Sequence, residues 1–214
     1  MADPALLVYT RTTGYRHDSI LAGVAALRAL GGFEVHAHED PAALEEPLDR
    51  YAAVVFLSTS GEVLTPAGRE RLAAYVEGGG FVGVHAAACT EDDWPYYGDL
   101  LGARFAGHPP VQPGRVLVED RDHPATRHLP PVWEATDEWY DFSACPRRTA
   151  HVLLRADESS YTGGTMGDDH PLAWCRAQGA GRVFYTALGH TVEAYDDPLF
   201  RAHLRGGITW AAAR

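Results

Sequence analysis

Five groups in this chain of 214 residues have side chains suited to chemistry: His17, His85, His108, His190, and Glu138 with its neighbour Asp137. Neutral imidazoles beside a carboxylate are good ligands for zinc or a similar divalent ion, and three or four converging would leave a position open for water or a hydroxyl-bearing ligand. His85, His108, His190 and Glu138 make up that candidate metal set. The same imidazoles could instead hold or release a proton near neutral pH and hydrogen-bond a polyol. In both readings His85, His190 and Glu138 are the catalytic candidates, while Arg16, His17, His108 and Asp137 are candidate substrate contacts. No HExxH or other local two-histidine motif is present, so a metal site has to be assembled from distant segments. Each residue also has a plainer reading. His85 could satisfy backbone groups at a buried strand end, Arg16 and His17 could serve a helix entry, and His108 could shape the loop before Pro109-Pro110. Asp168, Asp169 and His170 read most simply as a solvated loop, and His36, His38, His123, His128, His151 and His203 as surface or packing residues.

The elements that must position these groups follow from the hydrophobic pattern. Ala5–Tyr9 is a short apolar run followed by the polar stretch Thr10–His17, as expected for a buried parallel strand ending in a loop. Asp18 or Ser19 can cap a helix in which Ile20, Val24, Leu27 and Leu30 recur at helical spacing until Gly31-Gly32 stops it. Phe33–Ala37 reads as a second strand, Pro41–Leu48 as a short helical or irregular crossover, and Ala52–Leu57 as a third strand. Thr65-Pro66 opens a helix with Leu72, Tyr75 and Val76 facing inward, and Gly78-Gly79-Gly80 ends it before the strand Phe81–His85. This alternation predicts a doubly wound α/β domain: a flavodoxin-like, mainly parallel sheet with helices on both faces and ligands bound beyond the carboxyl ends of the strands. Residues 90–143 loosen into Trp, Tyr, Pro and Asp-rich sequence with short β-like pieces at Arg115–Val118 and Trp133–Ala135, and are expected to form an irregular insertion beside the sheet. His151–Arg155, Leu172–Arg176 and Val183–Ala187 read as an antiparallel extension at one edge, and Pro198–Ala213 as a final helix docking through Leu199, His203, Ile208 and Trp210.

The composition, 46% hydrophobic and 22% charged, fits one globular domain over residues 1–214. A net charge of −11 argues against nucleic acid and anionic membrane surfaces as partners. No apolar run approaches the ~20 residues a membrane span needs, and the N-terminus lacks the pattern of a secretory leader. Three widely spaced cysteines, Cys89, Cys145 and Cys175, suggest neither a disulfide framework nor a zinc knuckle, and a cytoplasmic location is expected. A homo-oligomer is compatible with all of this, but nothing in the sequence specifies one.

Several stretches together resemble the ThuA-like family, named for trehalose utilisation: GYRHDSI at 14–20, GGGFVGVHAA at 78–87, LLGARFAGHP at 100–109, DEWY at 137–140 and HPLAWCRAQGAGRVFYTALGH at 170–190. The resemblance covers nearly the whole chain. It implies a fold related to class I glutamine amidotransferases and a loosely defined link to carbohydrate metabolism, with a small-molecule carbohydrate as partner. In amidotransferases a strand enters a tight Gly-x-Cys-x-Gly turn that lifts the nucleophilic sulfur above the sheet. Here the turn reads Gly83-Val84-His85-Ala86-Ala87, so its small flanks remain but glutamine hydrolysis through a cysteinyl thioester is unavailable there. Cys89, four residues on, is not at the turn's tip. His190 occupies the place of the amidotransferase histidine and should lie near His85, although Glu193 does not match the family's His-x-Glu spacing. Carbohydrate sites stack sugar faces on aromatic rings. Trp94, Tyr96, Tyr97, Trp139 and Tyr140 are available, and Trp139 and Tyr140, next to Glu138, are the first choices for ligand contact. Two functions follow as expectations: an enzyme acting on a sugar derivative by histidine-based acid–base or metal-assisted chemistry, and a non-catalytic carbohydrate-binding or regulatory domain.

Overall fold

A computed structural model describes residues 3–213. The apolar runs become strands and the 3.6-residue patterns become helices, in the order β1 (Ala5–Tyr9), α1 (Ile20–Ala29), β2 (Glu34–His38), β3 (Tyr51–Leu57), α2 (Pro66–Val76) and β4 (Gly80–Val84). There follow α3 (Pro95–Leu101), β5 (Phe105–Gly107), β6 (Gln112–Val118), β7 (Val132–Asp137) and β8 (Asp141–Phe142). The chain closes with β9 (His151–Asp157), β10 (Pro171–Gln178), β11 (Gly181–Thr186) and α4 (Pro198–Ala212). Nine strands form one sheet in the order β2-β1-β3-β4-β11-β10-β9-β6-β7. The half from β2 to β11 is parallel, as the βα alternation requires, and the half from β11 to β7 is antiparallel.

The core lies where the parallel strands are apolar on both faces. Leu6, Leu7, Val8, Val54, Val55, Phe56, Phe81 and Val82 are wholly buried, and each such aliphatic or aromatic side chain stabilises the fold by roughly 1.5–3 kcal/mol. Helices cover both faces: α4 approaches so closely that a Cβ on Gly207 would strike the Phe184 ring, while Leu101 of α3 closes over Gly83 on the other side. Thr65 caps α2 through Gly68 N at 3.1 Å, with Pro66 at the first helical position. Ser19 stands at the N-cap of α1, but its hydroxyl donates to Gly189 O at 3.2 Å instead of capping, so this residue ties the first loop to the last one. The crossover at Pro41 is a single 3₁₀ turn, Pro41–Leu44, capped by Asp40. No helix among the described residues is long and apolar enough to cross a membrane.

Residues 90–143 depart from expectation. They do not stand beside the sheet as an irregular insertion, because β6 and β7 extend it as its outer edge and β5 pairs with β8 in a separate ribbon. The apolar alternation there is short and interrupted, so it carries too little signal to specify long-range pairing. Although β10, β9 and β6 separate β7 from β11 in the sheet, the end of β7 returns to β11: Asp137 accepts hydrogen bonds from Gly189 N at 2.8 Å and His190 N at 3.0 Å. Accumulated strand twist and coiling allow such a return. It carries Glu138 to the carboxyl ends of the parallel strands.

Candidate active site

Four loops deliver the polar groups. His17 ends the loop after β1, His85 follows β4 directly, Glu138 follows β7, and His190 follows β11. His85 has the left-handed backbone angle φ +50°, uncommon and costly for a residue with a Cβ, which makes the turn a sharp elbow. Its neighbours must be small: a Cβ on Gly83 would lie 2.8 Å from Leu101 Cδ1 and 2.9 Å from Tyr185 Cδ2. Two contacts hold the elbow: the Tyr185 hydroxyl donates to His85 O at 2.9 Å, and His85 Nδ1 donates to Ala187 O at 2.7 Å.

The second contact fixes the chemistry of the ring. A carbonyl only accepts, so Nδ1 carries a proton, and the lone pair of the neutral tautomer falls at Nε2. That lone pair faces His17 Nε2 at 3.1 Å, His190 Nδ1 at 3.2 Å and Glu138 Oε2 at 3.5 Å, and His190 Nδ1 lies 3.1 Å from the same Oε2. One ligand atom from each of the four residues falls within 4.8 Å of all the others. Ligand–metal bonds of about 2.0–2.1 Å in tetrahedral zinc sites put neighbouring donors about 3.3 Å apart, which is the separation seen along the resolved edges.

The electrostatics agree. Burial, reinforced by His85 and His190, pushes the His17 imidazole down to about 3, so it stays neutral with one ring nitrogen bearing a lone pair. Burial alone would raise the Glu138 carboxyl, but the neighbouring imidazoles, His190 first through its hydrogen bond, outweigh it and hold the carboxyl well below the usual range. His190 is shifted up, first by its hydrogen bond to Glu138 and against the opposing effect of burial, so the two share a proton that a cation would displace. Burial raises Asp137, opposed by His85 and by the N–H groups it binds, and its role is to fix the backbone of Gly189 and His190.

His17, Glu138 and His190 open into a cavity of about 630 Å³, where Tyr15, Phe105 and Tyr140 supply aromatic walls. His85 lies behind them, with no exposed surface. Tyr140 packs on it with ring centroids 4.3 Å apart.

The structure thus unites His17, His85, His190 and Glu138, and it alters several expectations. His108 is not part of the ligand set: its Nδ1 reaches the other oxygen of Glu138, Oε1, at 3.0 Å and so orients the carboxylate from outside. His17, expected as a substrate contact, takes the place assigned to His108. Trp139 makes no cavity contact. It is wholly buried, stacked on Tyr161 at 5.1 Å, and donates to Gln112 O, because its ring packs over Gly114 of β6, where only a glycine leaves room for it. Arg16 points away to Glu39 and Thr10 O, and Asp137 binds backbone, so neither lines the cavity. Glu193 is exposed, and Glu138 takes the role of carboxylate partner to His190. His170 is fully buried instead of solvated. Cys89 does border the cavity, yet burial pushes its thiol up to about 12, leaving almost no nucleophilic thiolate at neutral pH. Sequence reasoning passed over Tyr15, Phe105 and Ser60 in the cavity wall. The usable signal was Tyr15, an aromatic residue in a loop at a strand's carboxyl end, two positions before His17.

A family model described as trehalose utilisation matches residues 5–211. Among solved structures, a ThuA-like protein from Bacteroides uniformis is 27% identical, with a TM-score of 0.82, covering 98% of this chain and 91% of that one. A ThuA-like protein from Parabacteroides merdae is 23% identical with a TM-score of 0.85, covering 99% and 91% respectively. The fold also recurs within a β-galactosidase from Bacillus circulans, at 14% identity and a TM-score of 0.62, where 97% of this chain covers 31% of the enzyme. No curated protein matches the chain.

Proposed function

The chain belongs to the ThuA, or trehalose utilisation, family, and on that premise we propose that it is an enzyme acting on a sugar derivative, with a divalent metal ion held by His17, His85, His190 and Glu138. One observation carries this reading: the Nε2 lone pair of His85, its tautomer fixed by Ala187 O, is aimed at two more imidazole nitrogens and a carboxylate oxygen at zinc-like separations. A divalent cation would engage all four of these atoms at once, in place of the protons they otherwise share. Nitrogen and oxygen donors in this ratio suit zinc, which accepts a fifth ligand when a reaction requires it. When bound, such an ion would polarise a sugar carbonyl or lower the pKa of a hydroxyl or water.

The chain's own residues do the rest. His108 steadies Glu138 through Oε1, Asp137 holds the His190 loop, and Tyr140 closes the apolar side against His85. Glutaminase chemistry is absent from this reading, since a histidine occupies the elbow and Cys89 stays a thiol. The three free cysteines fit a reducing cytosol as the place of action. Metal analysis of protein purified without a metal-binding tag tests the proposal. A full equivalent of metal per chain that disappears in His85→Ala is expected. A metal-free protein that still binds sugars after His85→Ala would replace it with a non-catalytic carbohydrate-binding domain.

A further inference from the structure

We infer that the open edge of β7 is a docking site for an extended segment of a partner protein, which adds a strand to the sheet and carries lysine or arginine at alternate positions. The first observation is the direction in which the backbone of β7 faces. On the neighbouring strand β6, Arg115 N donates to Ser160 Oγ at 2.8 Å, and just beyond it Glu119 N donates to Leu153 O at 3.0 Å, both on the side away from β7. Val118 N donates the other way, to Pro131 O at 3.1 Å. Bonding directions alternate along an antiparallel ladder, so the even-numbered residues of β6 bond to β7, and in the observed register Gly114 and Val116 meet Ala135 and Trp133. Val132, Glu134 and Thr136 therefore turn their N–H and C=O groups outward, to a side with no neighbouring strand among the described residues. That leaves about 13 Å of edge, enough for about five residues of an added strand.

The second observation is what stands beside this edge. A groove of about 540 Å³ separates it from the segment after β11 and the start of α4. Trp133, Ala135, Leu188 and Phe200 line it with apolar surface, which alternate side chains of an incoming strand would cover. Glu134 on the strand side and Glu193 on the opposite side also line it, both are exposed, and neither has an ion pair or side-chain hydrogen bond among the described residues. Arg115, across the ladder from Glu134, is committed to Asp157. By contrast Glu39, Glu119 and Asp169, also exposed, are matched by Arg16 and Arg147. A cation brought by the partner supplies the missing counter-charge, and such complementarity selects the partner and fixes its register. A second copy of this chain fits the edge poorly. Every two-fold register of the outward residues places Glu134 opposite or diagonal to its copy, between chains that each carry a net charge of −11.

The test is titration of the protein with a labelled pentapeptide of alternating lysine and valine, blocked at both ends and followed by fluorescence anisotropy, beside its glutamate–valine counterpart. The lysine peptide should bind at least about tenfold more tightly, and the double variant Glu134→Arg/Glu193→Arg should invert that preference. In amide hydrogen exchange, saturating peptide should slow Val132, Glu134 and Thr136 by about tenfold or more and leave Trp133 and Ala135, already bonded to β6, unchanged. Thr136→Pro, which removes an outward N–H and no bond to β6, should weaken the lysine peptide by about tenfold. Equal binding of the two peptides, binding that leaves those three amides unprotected, or no binding of the lysine peptide at millimolar concentration overturns the inference. A dimer in sedimentation velocity that Thr136→Pro dissociates would assign the edge to a second copy and overturn it too.

Discussion

Among the described residues, two groupings of three or more histidine and carboxylate side chains occur, one formed by His17, His85, His190 and Glu138, the other by Asp141, Glu158 and His170, and within each the potential ligand atoms lie within 4.8 Å of one another. They differ in where their hydrogen bonds go. In the second, His170 Nε2 donates to Tyr140 O at 2.8 Å, and Nδ1 meets Glu158 Oε1 at 2.7 Å and the Tyr161 hydroxyl at 2.9 Å. Asp141 accepts from Thr165 N and Oγ1, and Glu158 from Met166 N. Every one of these groups is bound to protein, so the second grouping is a brace that fixes the segment carrying Tyr140 and Glu138. In the first, nitrogens of three imidazoles and a carboxylate oxygen converge on a single locus, with Ala187 O and His108 as the outer partners of His85 and Glu138. Proximity is alike in the two, and the partners of the polar atoms separate them.

The contrast can be broken first by His85→Ala. Metal content by elemental analysis should fall from a full equivalent to near none, with the circular dichroism spectrum retained; retained metal would make the first grouping a brace as well. His170→Ala should do the reverse. It leaves Glu158 and Tyr140 O without their buried partner and should cost about 3 kcal/mol in urea unfolding, with zinc still bound. A third buried histidine, His203, sharpens the comparison because it has only a neutral partner, Ala125 O at 2.8 Å, and its Nε2 is unpartnered. Burial lowers it from 6.5 to about 4, so the unfolded chain takes up a proton first as the pH drops. Its contribution is therefore complete above pH 6.5 and is lost as the pH falls toward 4. About 3 kcal/mol should disappear over that window, and His203→Gln should flatten that part of the acid limb.

Smaller effects probe the supports. Asp137→Ala removes the acceptor that holds Gly189 and His190, and zinc affinity in a competition titration should drop by roughly 10–100-fold, the usual effect of losing an outer-shell partner. Cys89→Ser should change neither zinc content nor any turnover found, because the thiol stays protonated at neutral pH. Loss of activity on thiol alkylation alone would return a cysteine mechanism to consideration.

The parallel half of the fold was legible because β1, β3 and β4 are short apolar runs, and the segments between them carry helical spacing with glycine or proline at their ends. The elbow was legible through Gly83, Ala86 and Ala87, small residues of the kind that a tight turn with close-packed neighbours requires. Glu138 could be named but not placed. The exchange of His17 for His108 was hidden, since both are loop histidines and only the return of β7 decides which nitrogen reaches the locus. Trp139 misled because adjacency to Glu138 was read as proximity, while its ring packs over Gly114 of β6.

Local sequence alone determined the βα alternation, the histidine at the elbow and the lack of a cysteine nucleophile there, because these depend on hydrophobic period and on one residue at one turn. Tertiary structure alone decided that imidazoles from three loops and a carboxylate from the far edge of the sheet share one point. That outcome depends on accumulated strand twist and on a single carbonyl, Ala187 O, that sets the tautomer of His85, and neither is written in any local stretch of residues.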